Sequence, residues 1–367
     1  MWMLPYIALF LQAWLISYLA VPPLMRLARQ WDIVDKPGHR KVHQVSQPLL
    51  GGVAIFISFN LVVLGDLWLY GLLHRSGWLP NWLQHWSHLL DYVPSALPNL
   101  LILLVGGFFM HSLGLLDDIF KEKLDYKIKF LVQFCIAIGV SCAGISVSFL
   151  GHPLLNQLVT TLWIVGIANS FNLLDNLDGL TGGVAVLSAL ILGGVAILQG
   201  QTFFAFLLLT LAGASLGFLI HNFHPAKLFM GDSGSLYLGY LFATLTAAGS
   251  YVLPTSSSLI AVVLPLLVLS IPLYDTFSVV FIRYREGRPL FLGDKSHFSH
   301  RLLALGMSHR SAVVFIYLLC FGVGITAALL PYLSVWGTII ILLQAAVIYV
   351  LVTILMVVGK NLKNSKN

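Results

Sequence analysis

The chain has 367 residues, of which 58% are hydrophobic and only 9% charged, with a mean hydropathy of +0.91. Soluble domains carry roughly 25% charged residues, so this composition excludes a soluble globular protein and indicates a polytopic membrane protein. The formal net charge of +6 does not indicate nucleic-acid binding, because no basic domain exists outside the apolar runs.

A helical span needs about 20 predominantly apolar residues, and the chain offers about eleven such runs. In order they are Pro5–Leu24, Pro48–Leu72, Pro98–Leu116, Ile128–Leu150, Leu154–Ala168, Thr181–Leu198, Thr202–Ile220, Ser235–Val252, Ser258–Ile282, Ala312–Leu330 and Leu333–Val358. The fifth is short. No internal repeat is evident and no connection could hold a second folded domain, so the expectation is one all-α transmembrane bundle over residues 1–367.

Orientation follows from the positive-inside bias. Alternate connections carry Arg26, Arg29, Lys36, Arg40 and Lys41; Lys121, Lys123, Lys127 and Lys129; Lys227; Arg283, Arg285, Arg288, Lys295, Arg301 and Arg310; and the tail lysines 360, 363 and 366. Only Arg75 falls in the other set. The N-terminus is therefore expected outside and the C-terminus in the cytoplasm, with cytoplasmic loops near 25–47, 117–127, 169–180, 221–234 and 283–311. No Lys or Arg precedes the first run, which reads as a retained span rather than a cleaved signal. Cys135, Cys142 and Cys320 lie within spans and read as packing residues. In the outer loop 73–97, Trp78, Trp82, Trp86 and Tyr92 suit headgroup depth; His85 and His88 at i, i+3 make a weaker case for a metal pair.

Twelve of the 14 Asp and Glu share the segments that hold 19 of the 20 Lys and Arg. A protein that only spans a bilayer has no need of carboxylates there. In chain order, the first cytoplasmic segment runs Val34–His43 and then Gln47-Pro48-Leu49-Leu50-Gly51-Gly52, where the glycines admit a close approach of backbone or substrate one turn into a helix. Next, Asp117-Asp118 close a long apolar run. Two adjacent carboxylates there either form a solvated helix cap or need a cation, since like charges raise one pKa. The third segment, Asn169–Gly183, places oxygen-bearing side chains at Asn169, Asn172, Asp175 and Asp178, before a helix end expected at Asp178-Gly179. Such oxygens suit Mg²⁺, and an interhelical polar clamp is the alternative. In the fourth, Asp232 lies where small residues open a helix, either as an N-cap or beside N–H groups free to hold a phosphate. The last runs from Pro272-Leu273-Tyr274-Asp275 to Lys295-Ser296-His297-Phe298-Ser299-His300-Arg301-Leu302. There His297 and His300, with Arg301 and Lys295, suit phosphate contact better than zinc, which lacks a third ligand.

Taken together, from Asp35 to Leu302, these motifs resemble the polyprenyl-phosphate N-acetylhexosamine-1-phosphate transferases. They are most similar to the bacterial branch that transfers GlcNAc-1-phosphate to undecaprenyl phosphate. The chain departs from that pattern twice: Asn176 stands where the family's N-x-x-N-x-x-D-G-x-D-G-L has its first Gly, and Ser299 where H-x-H-H-R-L has its central His. The resemblance implies an enzyme of the bacterial cytoplasmic (inner) membrane using a UDP-sugar donor and a polyprenyl phosphate acceptor in contact with membrane lipid. Mg²⁺, or Mn²⁺ in its place, would be held by Asp232 and Asn172. Asp117 and Asp118 would lie by the acceptor phosphate, and Asp175 with Asp178 would orient nucleotide or sugar. Lys129, His297, His300 and Arg301 would neutralise phosphate charge, with Asn169 and Lys295 as further substrate contacts. The MurNAc-pentapeptide transferase of the same family and, from another class, an ion-coupled transporter are the competing readings. Oligomeric state, a homodimer included, is left open.

Overall fold

A computed structural model describes residues 3–36, 46–77, 89–120, 124–249, 263–289 and 296–364. It is built almost wholly of helices: α1 (Leu4–Gln30), α2 (Gly51–Arg75), α3 (Leu89–Ile119), α4 (Tyr126–Ala143), α5 (Pro153–Leu174), α6 (Leu180–Leu198), α7 (Thr202–Asn222), α8 (Gly231–Ala248), α9 (Leu264–Val268), α10 (Ser270–Arg285), α11 (Phe298–Ala304), α12 (His309–Ala327) and α13 (Val335–Asn364). Two-residue strands β1 (Val34–Asp35) and β2 (Gln47–Pro48) pair antiparallel, Val34 opposite Pro48. Among the described residues nine helices are long and apolar enough to cross a bilayer, which makes this an all-α integral membrane protein. Large apolar side chains face outward along α1 (Leu4, Ile7, Leu11, Leu15) and α13 (Ile340, Leu343, Val347, Leu351), as a lipid-facing surface requires.

Two of the eleven expected runs do not form such a helix. The run Ser235–Val252 becomes α8, which starts four residues earlier at Gly231 and draws polar and small residues into its first turn. Enclosure explains that composition: every residue from Ser233 to Ala247 is buried, so α8 faces protein rather than lipid. The run Ser258–Ile282 is described only from residue 263, as α9 and α10 with a break at Leu269. Elsewhere helices outrun the expected spans. α1 continues to Gln30, and its 27 residues measure about 40 Å at 1.5 Å per residue, enough to carry Arg26 and Arg29 beyond a hydrocarbon core about 30 Å thick. α5 continues to Leu174 and takes Asn169 and Asn172 with it. In contrast α4 stops at Gly144, whose φ of 133° only glycine adopts readily. Residues beyond it turn on side-chain bonds, Val147 N–H to Thr160 Oγ1 at 3.0 Å and Leu150 N–H to Asn156 Oδ1 at 3.1 Å. Pro48 sits in β2 rather than opening α2.

α8 is the axis of the bundle, packed against α2, α3 and α5, while α7 packs on α1, α2 and α6. Lipid tails are as apolar as leucine, so close packing and hydrogen bonds hold such helices together. Glycines permit that packing. A Cβ on Gly52 would lie 2.1 Å from the Gly234 nitrogen, one on Gly114 2.3 Å from the Asp232 carbonyl oxygen, and one on Gly239 2.5 Å from Ala168 Cα. Polar contacts add to this: Asn60 donates to the Tyr237 hydroxyl at 2.9 Å, and Tyr240 donates to the Leu103 carbonyl at 3.1 Å. Such bonds contribute about 0.6 kcal/mol each in membranes, so the shape match of backbones carries most of the adhesion. Cys320 is buried as expected of a packing residue, whereas Cys135 and Cys142 lie exposed on α4. The outer-loop aromatics Trp78, Trp82, Trp86 and Tyr92, with His85 and His88, lie outside the residues whose side chains are described.

Candidate active site

The site gathers at one end of the bundle, where α3 ends, α4 begins, α5 ends and α8 begins. α8 sets its position. Gly51 and Gly52 donate backbone N–H groups to the carbonyls of Phe229 and Met230 at 3.0 and 2.8 Å, and Phe229 N–H returns to Pro48 O at 2.8 Å. The Gly-Gly pair therefore admits backbone rather than substrate. Gly231 takes φ 74°, turning the chain into α8, and its own Cβ would lie 2.5 Å from Asp118 Oδ2.

Asp118 holds the helix start. Its Oδ1 accepts from the Asp232 N–H at 2.8 Å and its Oδ2 from the Ser233 N–H at 3.0 Å. The first N–H groups of a helix have no helical partner, and a carboxylate opposite the positive end of the helix dipole is a favourable one. The α8 N-terminus is thus capped by Asp118 from α3, and those two N–H groups are not free for a phosphate. His111, one helical face back on α3, meets the Ser233 carbonyl through Nδ1 at 3.0 Å.

With α8 fixed, Asp232 receives three elements. Lys129 of α4 bonds its Oδ2 at 3.0 Å and also pairs with Asp117 of α3. Asn172 of α5 donates to Asp232 Oδ1 at 2.8 Å and to Ser235 Oγ at 3.0 Å. Lys129 stands between two carboxylates, and Asp117 Oδ1, buried, has no hydrogen-bond partner among the described residues. Asn169, one turn before Asn172, bonds Gln133 Oε1 at 2.5 Å. Gln133 lies i+4 from Lys129 and so shares its helix face; that spacing was the available sign of a residue sequence reasoning gave no role.

A cavity of about 600 Å³ opens beside this cluster, lined by Asp118, Asn172, Asp175, Asn176, Asp178, Asp232, His224, His300 and His309 among others, with Asp35 of β1 and Lys36 just after it. α5 ends at Leu174, one turn sooner than the expected break, so that Asp175–Asp178 form the turn itself. Gly179, φ 79°, opens α6; its N–H is held by Asn222 Oδ1 at 2.9 Å and its carbonyl accepts from Tyr317. Asp178 accepts from the Ala226 N–H at 3.1 Å and meets His224 Nδ1 at 2.8 Å. Burial pushes the Asp175 carboxyl up to about 7, and the charges of Asp232 and Asp178 add to the rise.

The last segment divides. His300 reaches the cavity wall, but His297 is 5% exposed and turned into the protein, its Nδ1 2.8 Å from Asp275 Oδ2. Asp275, 0% exposed, also accepts from the Phe298 N–H at 2.5 Å and so caps α11. Sequence reasoning gave Asp275 no role; the signal was an acid inside an apolar run, which by itself marks function in a membrane. Arg301 bonds Ser278 Oγ at 2.5 Å and does not line the cavity; burial lowers its pKa, with Tyr274 and Asp275 opposing. His224 and His309, also given no role, pack on the cavity wall with ring centroids 4.6 Å apart and planes tilted by 37°. Lys295 lies outside the described residues. Among the described residues no three His, Cys, Asp or Glu side chains form a metal-binding group; Asp117 and Asp232 are joined through Lys129, and Asn172 meets Asp232 through its amide nitrogen.

Helix ends that bring two carboxylates, a lysine and an amide together beside a cavity form a charged site at one end of a membrane protein. Residues 100–250 match the Glycosyl transferase family 4. The chain is 34% identical over 98% of its length to "Probable undecaprenyl-phosphate N-acetylglucosaminyl 1-phosphate transferase" of Bacillus subtilis, covering 92% of that protein. It is 34% identical over 84% of its length to a decaprenyl-phosphate N-acetylglucosaminephosphotransferase of Mycobacterium tuberculosis, covering 78% of it. To an undecaprenyl-phosphate alpha-N-acetylglucosaminyl 1-phosphate transferase of Escherichia coli O157:H7 it is 26% identical over 88%, covering 84% of that relative. The chain belongs to the polyprenyl-phosphate N-acetylhexosamine-1-phosphate transferases of glycosyl transferase family 4.

Proposed function

We propose that the protein transfers GlcNAc-1-phosphate from UDP-GlcNAc to undecaprenyl phosphate, releasing UMP, in a Mg²⁺-dependent reaction at the cytoplasmic face of a bacterial inner membrane. The product is the first lipid-linked intermediate of a cell-envelope polysaccharide. The observation that carries this reading is the convergence of Asp117, Lys129, Asn172 and Asp232 from four helices beside a polar cavity. The relatives' names supply the acceptor and sugar class. The eleven-span topology with the N-terminus outside belongs to the same proposal, and the charge alternation along the sequence supports it.

The donor set fits Mg²⁺. Mg²⁺ takes one or two carboxylates together with waters and substrate phosphates rather than a full protein cage; Asp232 and Asp117, whose Oδ1 has no hydrogen-bond partner among the described residues, are hard oxygen donors of that kind, and Asn172, which turns its amide nitrogen to Asp232, would offer its oxygen after rotation of the amide. When bound there, the ion polarises the attacked phosphorus and stabilises departing UMP. The protein's own residues do the rest. Lys129 holds an ammonium between the two carboxylates, where it neutralises an entering phosphate. Asp118, engaged with two backbone N–H groups, positions Asp232 rather than touching substrate. Asn172 orients the Asp232 carboxylate, and Asp275 orients His297. The acceptor phosphate has a second pKa of about 6, so at neutral pH it is largely a dianion and attacks the β-phosphorus without a base. Positioning and charge neutralisation then supply the catalysis, in one in-line step. Asp117, Asp118, Lys129 and Asp232 lie at helix ends, a placement that does not favour a transporter with midplane charges.

Purified protein given Mg²⁺, undecaprenyl phosphate and a panel of UDP-sugars tests this. UMP release at least about tenfold faster with UDP-GlcNAc than with UDP-MurNAc-pentapeptide is expected; no UMP from any UDP-sugar, or preference for the larger donor, contradicts it. Accumulation of a sugar-phosphorylated enzyme without lipid would rule out the single-step course.

A further inference from the structure

The two positions at which the chain departs from the family pattern touch each other. Ser299, 1% exposed, donates its hydroxyl to Asn176 Oδ1. Asn176 Nδ2 in turn donates to the Leu173 carbonyl at 2.7 Å, one of the last carbonyls of α5, which lack helical partners. The Asn176 carboxamide thereby links the end of α5 to the first turn of α11 with both of its polar ends engaged. Asn176 and His300, the neighbour of Ser299, both line the cavity, and Asp275 caps the same α11 turn from α10.

We infer that Asn176 and Ser299 are a single compensated pair that positions His300 on the cavity wall and so sets the affinity for the donor. The inference rests on the phosphotransferase reading above. Asparagine plus serine carries the same number of side-chain heavy atoms as glycine plus histidine. Exchanging both positions therefore conserves volume, whereas exchanging one leaves a hole or a clash, and volume-conserving changes are the ones buried sites tolerate. An imidazole placed at position 299 with Asn176 still present must displace a carboxamide anchored to α5. The pair also puts a neutral hydrogen bond where the family pattern has a ring able to carry charge.

Kinetics of UMP release and melting in detergent, on the full-length protein, test the pair. S299A should raise KM for UDP-GlcNAc about fivefold, the loss expected of one neutral hydrogen bond, and N176A, which also loses the bond to Leu173, at least as much, each with kcat within about twofold. The double alanine variant should be no worse than N176A, because the Ser299–Asn176 bond is already lost in that single variant. S299H should lower kcat/KM more than about tenfold, and adding N176G should restore it to within about threefold of wild type. Should S299H not fold, recovery of a folded N176G/S299H protein shows the same compensation. Multiplicative alanine effects, or N176G/S299H no better than S299H in both activity and melting, would overturn the pair. If the wild-type protein releases no UMP, the phosphotransferase reading fails instead, and the melting comparison still decides whether the two residues compensate.

Discussion

Asp118 and Lys129 carry the site in different ways, and substitutions separate them. Asp118 accepts two backbone N–H bonds at the start of α8, so D118N turns an amide NH₂ toward N–H donors or loses one bond. A buried bond to a charged group is worth about 2 kcal/mol; D118N should lower the detergent melting temperature as well as UMP release. Lys129 is instead the counter-charge to Asp117 and Asp232. K129M should cut kcat/KM by about two orders of magnitude, as loss of a charge-stabilising donor does, and an unchanged rate would remove Lys129 from the phosphate site. Asp175 gives a pH signature. Its carboxyl is raised from 3.8 to about 7, so the folded protein keeps a proton that the unfolded chain has already released. The associated stability is full below the unfolded value and is lost as pH rises through about 7. With a chelator present, the melting temperature of wild type should fall from about pH 5 to pH 8 more steeply than that of D175N; parallel slopes would contradict the assignment. Acids and amides at the ends of apolar runs were legible in the sequence, because a membrane gives them no cheap place to sit. Their partners were not: Asp118 meets residues 114 and 115 positions away, and no local pattern encodes such a pairing.

At the scale of elements, the apolar runs fixed where most helices lie, and hydropathy misjudged α8 because it assumes lipid for a neighbour. A helix wrapped by other helices tolerates Ser, Thr and Tyr whose hydroxyls bond backbone, as Thr244 does to Tyr240 O at 2.7 Å. The close approaches around it give a paired prediction. G52A and G114A would drive a methyl into backbone atoms at 2.1 and 2.3 Å, whereas G139A meets nothing within 4 Å. G52A and G114A should abolish recovery of folded, monodisperse protein from detergent, and G139A should leave it unchanged. Equal yields for all three would show that α8 is not tightly clasped. Helix ends were read too short because the span was equated with the hydrocarbon core. α1, α3 and α5 continue past it, and α3 and α5 carry the chemistry on those final turns.

For the whole molecule, charge distribution and reaction follow from one asymmetry. Lys and Arg, with most of the acids, gather at one set of connections, and the described members of the acid cluster meet at one end of the bundle. A periplasm-active reporter fused after residue 364 should be silent and a cytoplasm-active one bright; the reverse would invert the topology and place the cavity away from nucleotide sugars. Composition and the lengths of the apolar runs give the class of fold, yet not which helix lies at its centre, since α8 is assigned to the axis by the glycines of α2 and α3. We propose that Asp232, fixed by Asp118, Lys129 and Asn172, holds the metal on which transfer depends. The most direct measurement is UMP release from UDP-GlcNAc and undecaprenyl phosphate across a Mg²⁺ titration, for wild type and D232N at matched folded fraction. No release without Mg²⁺ and a loss of at least about a hundredfold in D232N at saturating Mg²⁺ are expected; full activity of D232N, or release unaffected by a chelator, would remove Asp232 from the metal site.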